Sequence, residues 1–239
     1  MNFVQVAIPS PLRQTFTYKN QFSSDLIGKR VLVEFGRRKL VGIVISQSKN
    51  FDENYKLKQI DEVLDDSPLF DKQALKKIIN IANYYMHPIG IVFESFIPSF
   101  LRKAKHQKTL EKYVIKIDSD KAIKSLHILT SDQKNALNSI KSNDSGEILL
   151  SGITSSGKTE VYKHFIKKLL SKGKSALVLV PEIFLTPQIF NDFQETFGNK
   201  VLLNHSGLTP IQRIKVWLTS QNNKPKIIIG TRSSIFLPI

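Results

Sequence analysis

Eight residues, Gly152-Ile153-Thr154-Ser155-Ser156-Gly157-Lys158-Thr159, constrain this chain more than any other feature. They satisfy the spacing G-x-x-x-x-G-K-[ST], directly after the apolar run 147–151 (EILLS) and at the head of a helical pattern over 158–170. A strand, a glycine-rich turn and a helix N-terminus in that order build a cradle for phosphate. The glycines let successive N–H groups converge, and the helix terminus adds partial positive charge. In such a loop the lysine brings a mobile cation to the β- and γ-phosphates and the hydroxyl meets Mg²⁺. Lys158 and Thr159 are therefore the candidate catalytic residues. Gly152 to Thr159, with Glu160 beside them, are the candidate nucleotide contacts. The spacing does not separate ATP from GTP, or a motor from a kinase.

The rest of the second half alternates in the same way. Apolar runs at 175–180 (SALVLV), 201–203 and 226–230 (KIIIG) read as strands, and 186–197 and 209–219 read as helices. Phe190, Phe193 and Phe197 share one helical face, and Pro210 stands where a first-turn proline is tolerated. The pattern predicts an α/β lobe with a parallel sheet covered by helices. Nucleotide hydrolysis also needs a carboxylate for the metal and a residue to position water. The acids after the loop are Glu160, Glu182, Asp192 and Glu195, and none forms an Asp-Glu pair after an apolar strand.

The first hundred residues have a different grammar. Short alternating runs at 3–8, 15–18, 29–35 and 40–46 predict strands, with a further strand inside 57–64. The Gly36-Arg37-Arg38-Lys39 link between two of them predicts a hairpin. From Phe70 the period becomes helical, with Ala74, Ile78, Ala82 and Tyr85 on one stripe ending at His87-Pro88. The pairs Asp61-Glu62 and Asp65-Asp66 read as solvated strand or turn residues. Between 102 and 116 come Arg102, Lys103, Lys105, Lys108, Lys112 and Lys116 against the single acid Glu111. This run is either a solvated rim or a nucleic-acid contact. The expected division is a β-rich domain over 1–100, a basic linker over 101–128 and a nucleotide-binding lobe over 129–239.

Composition adds two bounds. The 239 residues carry a net charge of +15, which favours polyanions, though it does not separate DNA from RNA, ribosome or anionic lipid. There is no cysteine, which excludes disulfides, thiol nucleophiles and cysteine zinc sites in this chain. No apolar run reaches the roughly 20 residues that span a bilayer, and no basic region precedes the first apolar stretch. The expectation is a cytoplasmic protein without a membrane partner.

Nine blocks in one order resemble the PriA family of primosomal, replication-restart helicases. They are VAIPSPLRQTFTY (6–18), GKRVLVEFGRR (28–38), EVLDDSPLF (62–70), YYMHPIG (84–90), LTSDQKNAL (129–137), SGITSSGKTEVY (151–162), VPEIFLTPQ (180–188), HSGL (205–208) and GTRSSIF (230–236). The resemblance implies an ATP- and Mg²⁺-dependent 3′→5′ DNA helicase that works with primosome and replication-restart proteins at stalled forks. It implies that the β-rich domain holds a DNA 3′ end through Phe16, Gly36 and Lys58. Position 17 is Asp in some members and Thr17 here. The resemblance also implies that Gln133 reads the adenine edge, and that Pro181-Glu182 and Thr231-Arg232 face single-stranded DNA, with Arg232 on phosphates. Phe16 has the simpler reading of a core aromatic, Gln133 of a helix-start glutamine and Arg232 of a surface arginine. Two departures set further expectations. The linker is too short for the family's winged helix. The Asp-Glu metal site, second motor lobe and zinc-binding cysteines are expected beyond residue 239, which would leave this chain with impaired hydrolysis. The alternative is a non-catalytic binder of forks and 3′ ends. A small-molecule kinase is disfavoured, because it leaves the N-terminal half unexplained.

Overall fold

The computed structural model describes residues 2–22, 24–48, 57–117, 123–142, 146–181 and 187–239. In it the N-terminal alternation becomes one antiparallel sheet. Strands β1 (Asn2–Ala7), β2 (Phe16–Asn20), β3 (Arg30–Phe35), β4 (Arg38–Ser48) and β5 (Ile60–Val63) lie in the order β2-β1-β4-β3-β5. Side chains two apart share a face, so Val4 and Val6, Val31 and Val33, Tyr18, Val44 and Ile60 converge on one core. The hairpin link is tighter than the sequence suggests. Phe35 pairs with Arg38, so Gly36 and Arg37 alone make the turn, and Arg38 and Lys39 belong to β4. Gly36 takes a φ of +62°, where a Cβ is costly. The two edge strands come together where the Lys19 N–H donates to the Lys58 carbonyl at 2.9 Å, which curls the sheet into a half-barrel.

Helix α1 (Lys72–Tyr84) starts at Asp71, whose carboxylate accepts from the Ala74 N–H, and buries Leu75, Ile78 and Ala82. The expected stripe fails at its last member. Tyr85 is the C-cap, past the final helical step, and is exposed. Helix α2 (Ile89–Phe96) follows Pro88 directly. Its eight residues are too few to show a period in sequence.

The pair Asp65-Asp66 is a second correction. Asp66 is exposed, but Asp65 is buried against Arg30, with both side chains 0% exposed and a 2.5 Å ion pair between them. Arg30 also donates to the Leu101 carbonyl at 2.9 Å and the Lys105 carbonyl at 3.0 Å. Its guanidinium is thus satisfied on several sides, the condition under which a buried charge is tolerated.

The second half holds helices α3 (Ser131–Ser142), α4 (Lys158–Ser171), α5 (Pro187–Phe197) and α6 (Pro210–Gln221). Its strands are β6 (Ala176–Leu179), β7 (Val201–Asn204) and β8 (Ile227–Gly230). The strands are parallel in the order β6-β8-β7, and central β8 is buried along its whole length. Ile166 and Leu170 of α4 and Phe193 and Phe197 of α5 pack on Ile227 and Ile229. Helix α6 begins with the expected Pro210, and Thr209 and Gln212 exchange capping hydrogen bonds ahead of it. The expected strand at 147–151 is not formed. Among the described residues nothing pairs with it, and an apolar run without a ladder partner is not a strand. Leu149 is left 92% exposed, while Leu150 packs beside Leu129, Leu137, Ile140 and Val161. Glu182 and Thr186 lie outside the described residues.

The chain divides into two compact units, Met1–Val114 with Thr209–Trp217, and Ile115–Leu208 with Leu218–Ile239. A mixed α/β protein results, with a β-rich half-barrel first and a helix-covered parallel sheet second. Among the described residues no helix is long and apolar enough to cross a membrane.

Candidate nucleotide and DNA sites

The phosphate loop is an exposed turn ending at the N-terminus of α4. Gly157 is the N-cap residue in a left-handed conformation with φ +78°. A Cβ there would come within 2.2 Å of the Gln133 amide nitrogen, so a side chain at 157 would displace that amide, and the backbone conformation itself favours glycine. Lys158 folds back on the loop, donating to the Gly152 carbonyl at 2.7 Å and the Ile153 carbonyl at 2.9 Å. Thr159 is exposed on the first turn of α4.

Gln133 ties α3 to this loop. Its side-chain oxygen accepts from the Thr130 N–H at 3.0 Å, and the Thr130 hydroxyl accepts from the Gln133 N–H at 3.4 Å, a reciprocal cap. Its amide nitrogen donates to the Ser156 carbonyl at 3.0 Å. The structure therefore brings Gln133 to the loop, and shows its amide clamping Ser156.

Glu160 is engaged elsewhere. Lys163, almost fully buried, lies between Glu160 at 3.1 Å and Asp192 at 2.5 Å, and over the Phe193 ring at 5.7 Å. One Glu160 oxygen is buried with no hydrogen-bond partner. Lys163 escapes sequence reading, because nothing in a run of helical lysines marks which one points inward.

The donors present suit a nucleoside triphosphate: a glycine-dependent turn, a helix N-terminus, a lysine within reach and a hydroxyl for Mg²⁺. Among the described residues no cluster of histidine and acidic side chains could hold a metal by itself, so a metal here would depend on the nucleotide's phosphates.

The carboxyl ends of the parallel strands carry three of the quoted blocks: Val180-Pro181 after β6, His205–Leu208 after β7 and Thr231–Ser234 after β8. Thr231 and Ser234 are buried, and Ser234 exchanges hydrogen bonds with Asn204 at the end of β7. Arg232 between them is exposed. This turn is rigid where it meets the sheet and offers one cation outward.

In the β-rich unit Phe16, Thr17, Gly36 and Lys58 line one cleft of about 400 Å³. Phe16 is half-buried and meets Phe35 edge to face at 4.8 Å between ring centroids. Thr17 accepts a hydrogen bond from the Gln5 side chain at 2.8 Å. Lys58 donates to the Glu34 carboxylate at 2.6 Å and to the Gly36 carbonyl at 3.2 Å. The Lys58 hydrogen bond, and then its charge, hold the Glu34 carboxyl below its usual value. The Tyr18 hydroxyl donates to the Glu34 carbonyl, and burial, followed by the charges of Glu34 and Asp61, pushes its pKa up to about 12. Sequence reading missed Glu34 and Phe35. Glu34 shows only as the polar position of an alternating strand, and its partner stands 24 residues away.

Comparison with known proteins gives two family matches. Residues 5–98 match the family model of the PriA 3′ DNA-binding domain, and residues 130–239 match that of the DEAD/DEAH box helicases. The replication restart protein PriA of Treponema pallidum is 31% identical over 99% of this chain and 36% of its own length. That of Haemophilus influenzae is 30% identical over 99% of the chain and 42% of its own length. That of Synechocystis is 50% identical over 39% of the chain and 11% of its own length. The chain spans about a third of the length of most of the curated relatives that it matches along nearly its whole extent. With matches to a 3′ DNA-binding domain and a helicase domain in that order, and PriA relatives at 30–31% identity aligned along nearly the whole of this chain, the chain belongs to the PriA family.

Proposed function

We propose that this chain serves an ATP-dependent 3′→5′ DNA helicase of the PriA type, acting with primosome and replication-restart proteins at stalled forks. The observation that carries the reading is the 400 Å³ cleft, where Phe16, Thr17, Gly36 and Lys58 meet although they are scattered over more than forty residues. A terminal base has the Phe16 ring to stack on, and the Gly36 turn, bare of a side chain, lets the sugar approach. Lys58 supplies a cation for the backbone once it leaves Glu34. Thr17 offers a hydroxyl where some relatives have a carboxylate.

In the second unit Lys158, which here donates to the Gly152 and Ile153 carbonyls, would hold the phosphate oxygens of a bound nucleotide, and Thr159 would offer its hydroxyl to Mg²⁺. ATP with Mg²⁺ supplies the free energy of phosphoryl transfer when bound. Gln133 holds Ser156, and so the loop, in register with α3. Reading the adenine edge requires its amide to exchange one of the two bonds it makes here. Arg232 takes a DNA phosphate without reading sequence. No cysteine is available for zinc.

A second reading, a non-catalytic binder of forks and 3′ ends, is favoured by one observation. Lys163 engages both Glu160 and Asp192, two of the acids that follow the loop. Both readings share the 3′-end cleft, and binding of forked DNA with a free or a phosphate-blocked 3′ end tests it. A free 3′ hydroxyl is expected to bind about tenfold more tightly, and Phe16→Ala to remove that preference, as loss of one stacked base implies. Equal affinity for both ends, with dependence on salt alone, would sink the cleft.

A further inference from the structure

Residues 100–113 lie outside both matched regions, and their basic run plays no part in either site above. In the structure this segment is a built cleft. Phe100, Lys105, His106, Lys112 and Tyr113 line a space of about 350 Å³ over the buried Leu110. The Phe100 and Tyr113 rings, both half-buried, meet edge to face at 5.9 Å. Lys105 lies over the Phe100 ring at 4.4 Å and Lys112 over the Tyr113 ring at 5.4 Å.

The backbone behind the cleft is fixed to the sheet. The buried Arg30 holds the carbonyls of Leu101 and Lys105. The Gln107 N–H donates to the Leu64 carbonyl at 2.9 Å, and the Gln107 side chain exchanges hydrogen bonds with Ser67. His106 is paired with Glu62 at 2.8 Å, and Lys108 with Asp66 at 3.7 Å. Lys105 and Lys112 thus stand over rings, where Lys108 stands on a carboxylate. A lysine run kept only for solubility needs neither a paired aromatic wall nor a buried arginine pinning its main chain. Cations beside half-open aromatic faces are the chemistry that holds single-stranded nucleic acid, with bases on the rings and phosphates on the ammonium groups.

We infer that the Phe100–Tyr113 cleft is a second nucleic-acid contact. It takes the interior of a single DNA strand, stacking a base against the aromatic pair and setting neighbouring phosphates on Lys105 and Lys112. It needs no strand end and tolerates any base, since every base has a π-face.

The test uses the full chain and a circular single-stranded oligonucleotide, which has no 3′ end. Tyr113→Ala is expected to weaken binding about tenfold at constant salt, and Tyr113→Trp to restore it, which separates lost stacking from lost folding. The double variant Lys105→Gln, Lys112→Gln leaves the rings in place. It is expected to flatten the salt slope by roughly 1.4, two single-strand phosphate contacts. Wild-type affinity in Tyr113→Ala would overturn the inference. So would polyglutamate competing as well as the circle at equal charge, which would make the segment a general polyanion surface. If the circle result holds while forked DNA shows no preference for a 3′ hydroxyl, only the 3′-end reading falls.

Discussion

At the scale of single residues, buried charge separates what sequence shows from what it hides. Asp65 reads as a solvated position, yet it and Arg30 together lock β3 to the segment after Leu64 and to the carbonyls of Leu101 and Lys105. Removing one partner leaves the other charge buried and uncompensated. Asp65→Asn is therefore expected to cost about 3–5 kcal/mol of stability, measured by denaturant unfolding. Lys226 gives a different signature. Burial lowers its pKa to about 8, and its ammonium donates to the carbonyls of Ser220 and Asn222. The unfolded chain holds this proton up to the ordinary value of 10.5, so between about 8 and 10.5 the unfolded state binds more protons. The penalty of the buried charge is fully present below that window and is relieved as pH rises through it. Wild-type stability, measured against Lys226→Met, is expected to improve from pH 8 to pH 10. A difference independent of pH would show that the folded lysine titrates normally.

At the scale of elements, period was legible and pairing was not. The alternation in β3 and β4 announced a hairpin, because period-two burial is written in the order of side chains. The two-residue turn, and the placing of Arg38 and Lys39 in a strand, came from register, which the hydrophobic pattern leaves loose at exposed positions. Residues 147–151 show the converse. Their apolar run has the composition of a strand, but a strand also needs a neighbour, and composition cannot supply one. The Glu34–Lys58 pair arises in the same way, when curling of the sheet brings the segment before β5 beside β2 and β3. Because Glu34 occupies Lys58, Glu34→Gln is expected to tighten single-stranded DNA binding severalfold by freeing the cation. Fluorescence anisotropy with Lys58→Met as the control checks this. An unchanged affinity would mean that Lys58 faces no phosphate.

At the scale of the whole molecule, two units carry two kinds of site, an aromatic-lined cleft in one and a glycine-dependent loop at a helix N-terminus in the other. Glu160 and Asp192 are both held by Lys163. The 239-residue chain by itself is accordingly expected to bind ATP with negligible turnover, measured as DNA-stimulated phosphate release. Turnover above about one per second, the lower end of ordinary enzyme rates, and lost in Lys158→Ala, would show a complete hydrolytic site. The sequence alone determined the two grammars, the phosphate loop and its glycines, and the family blocks. Each of these is a local spacing, set by backbone geometry within a few residues. Tertiary structure decided which cations are spent on carboxylates and which stand over rings, which acid is buried, and that Phe16 and Lys58 share a cleft. Those outcomes depend on burial and on contacts between residues far apart in the chain, which no local pattern encodes.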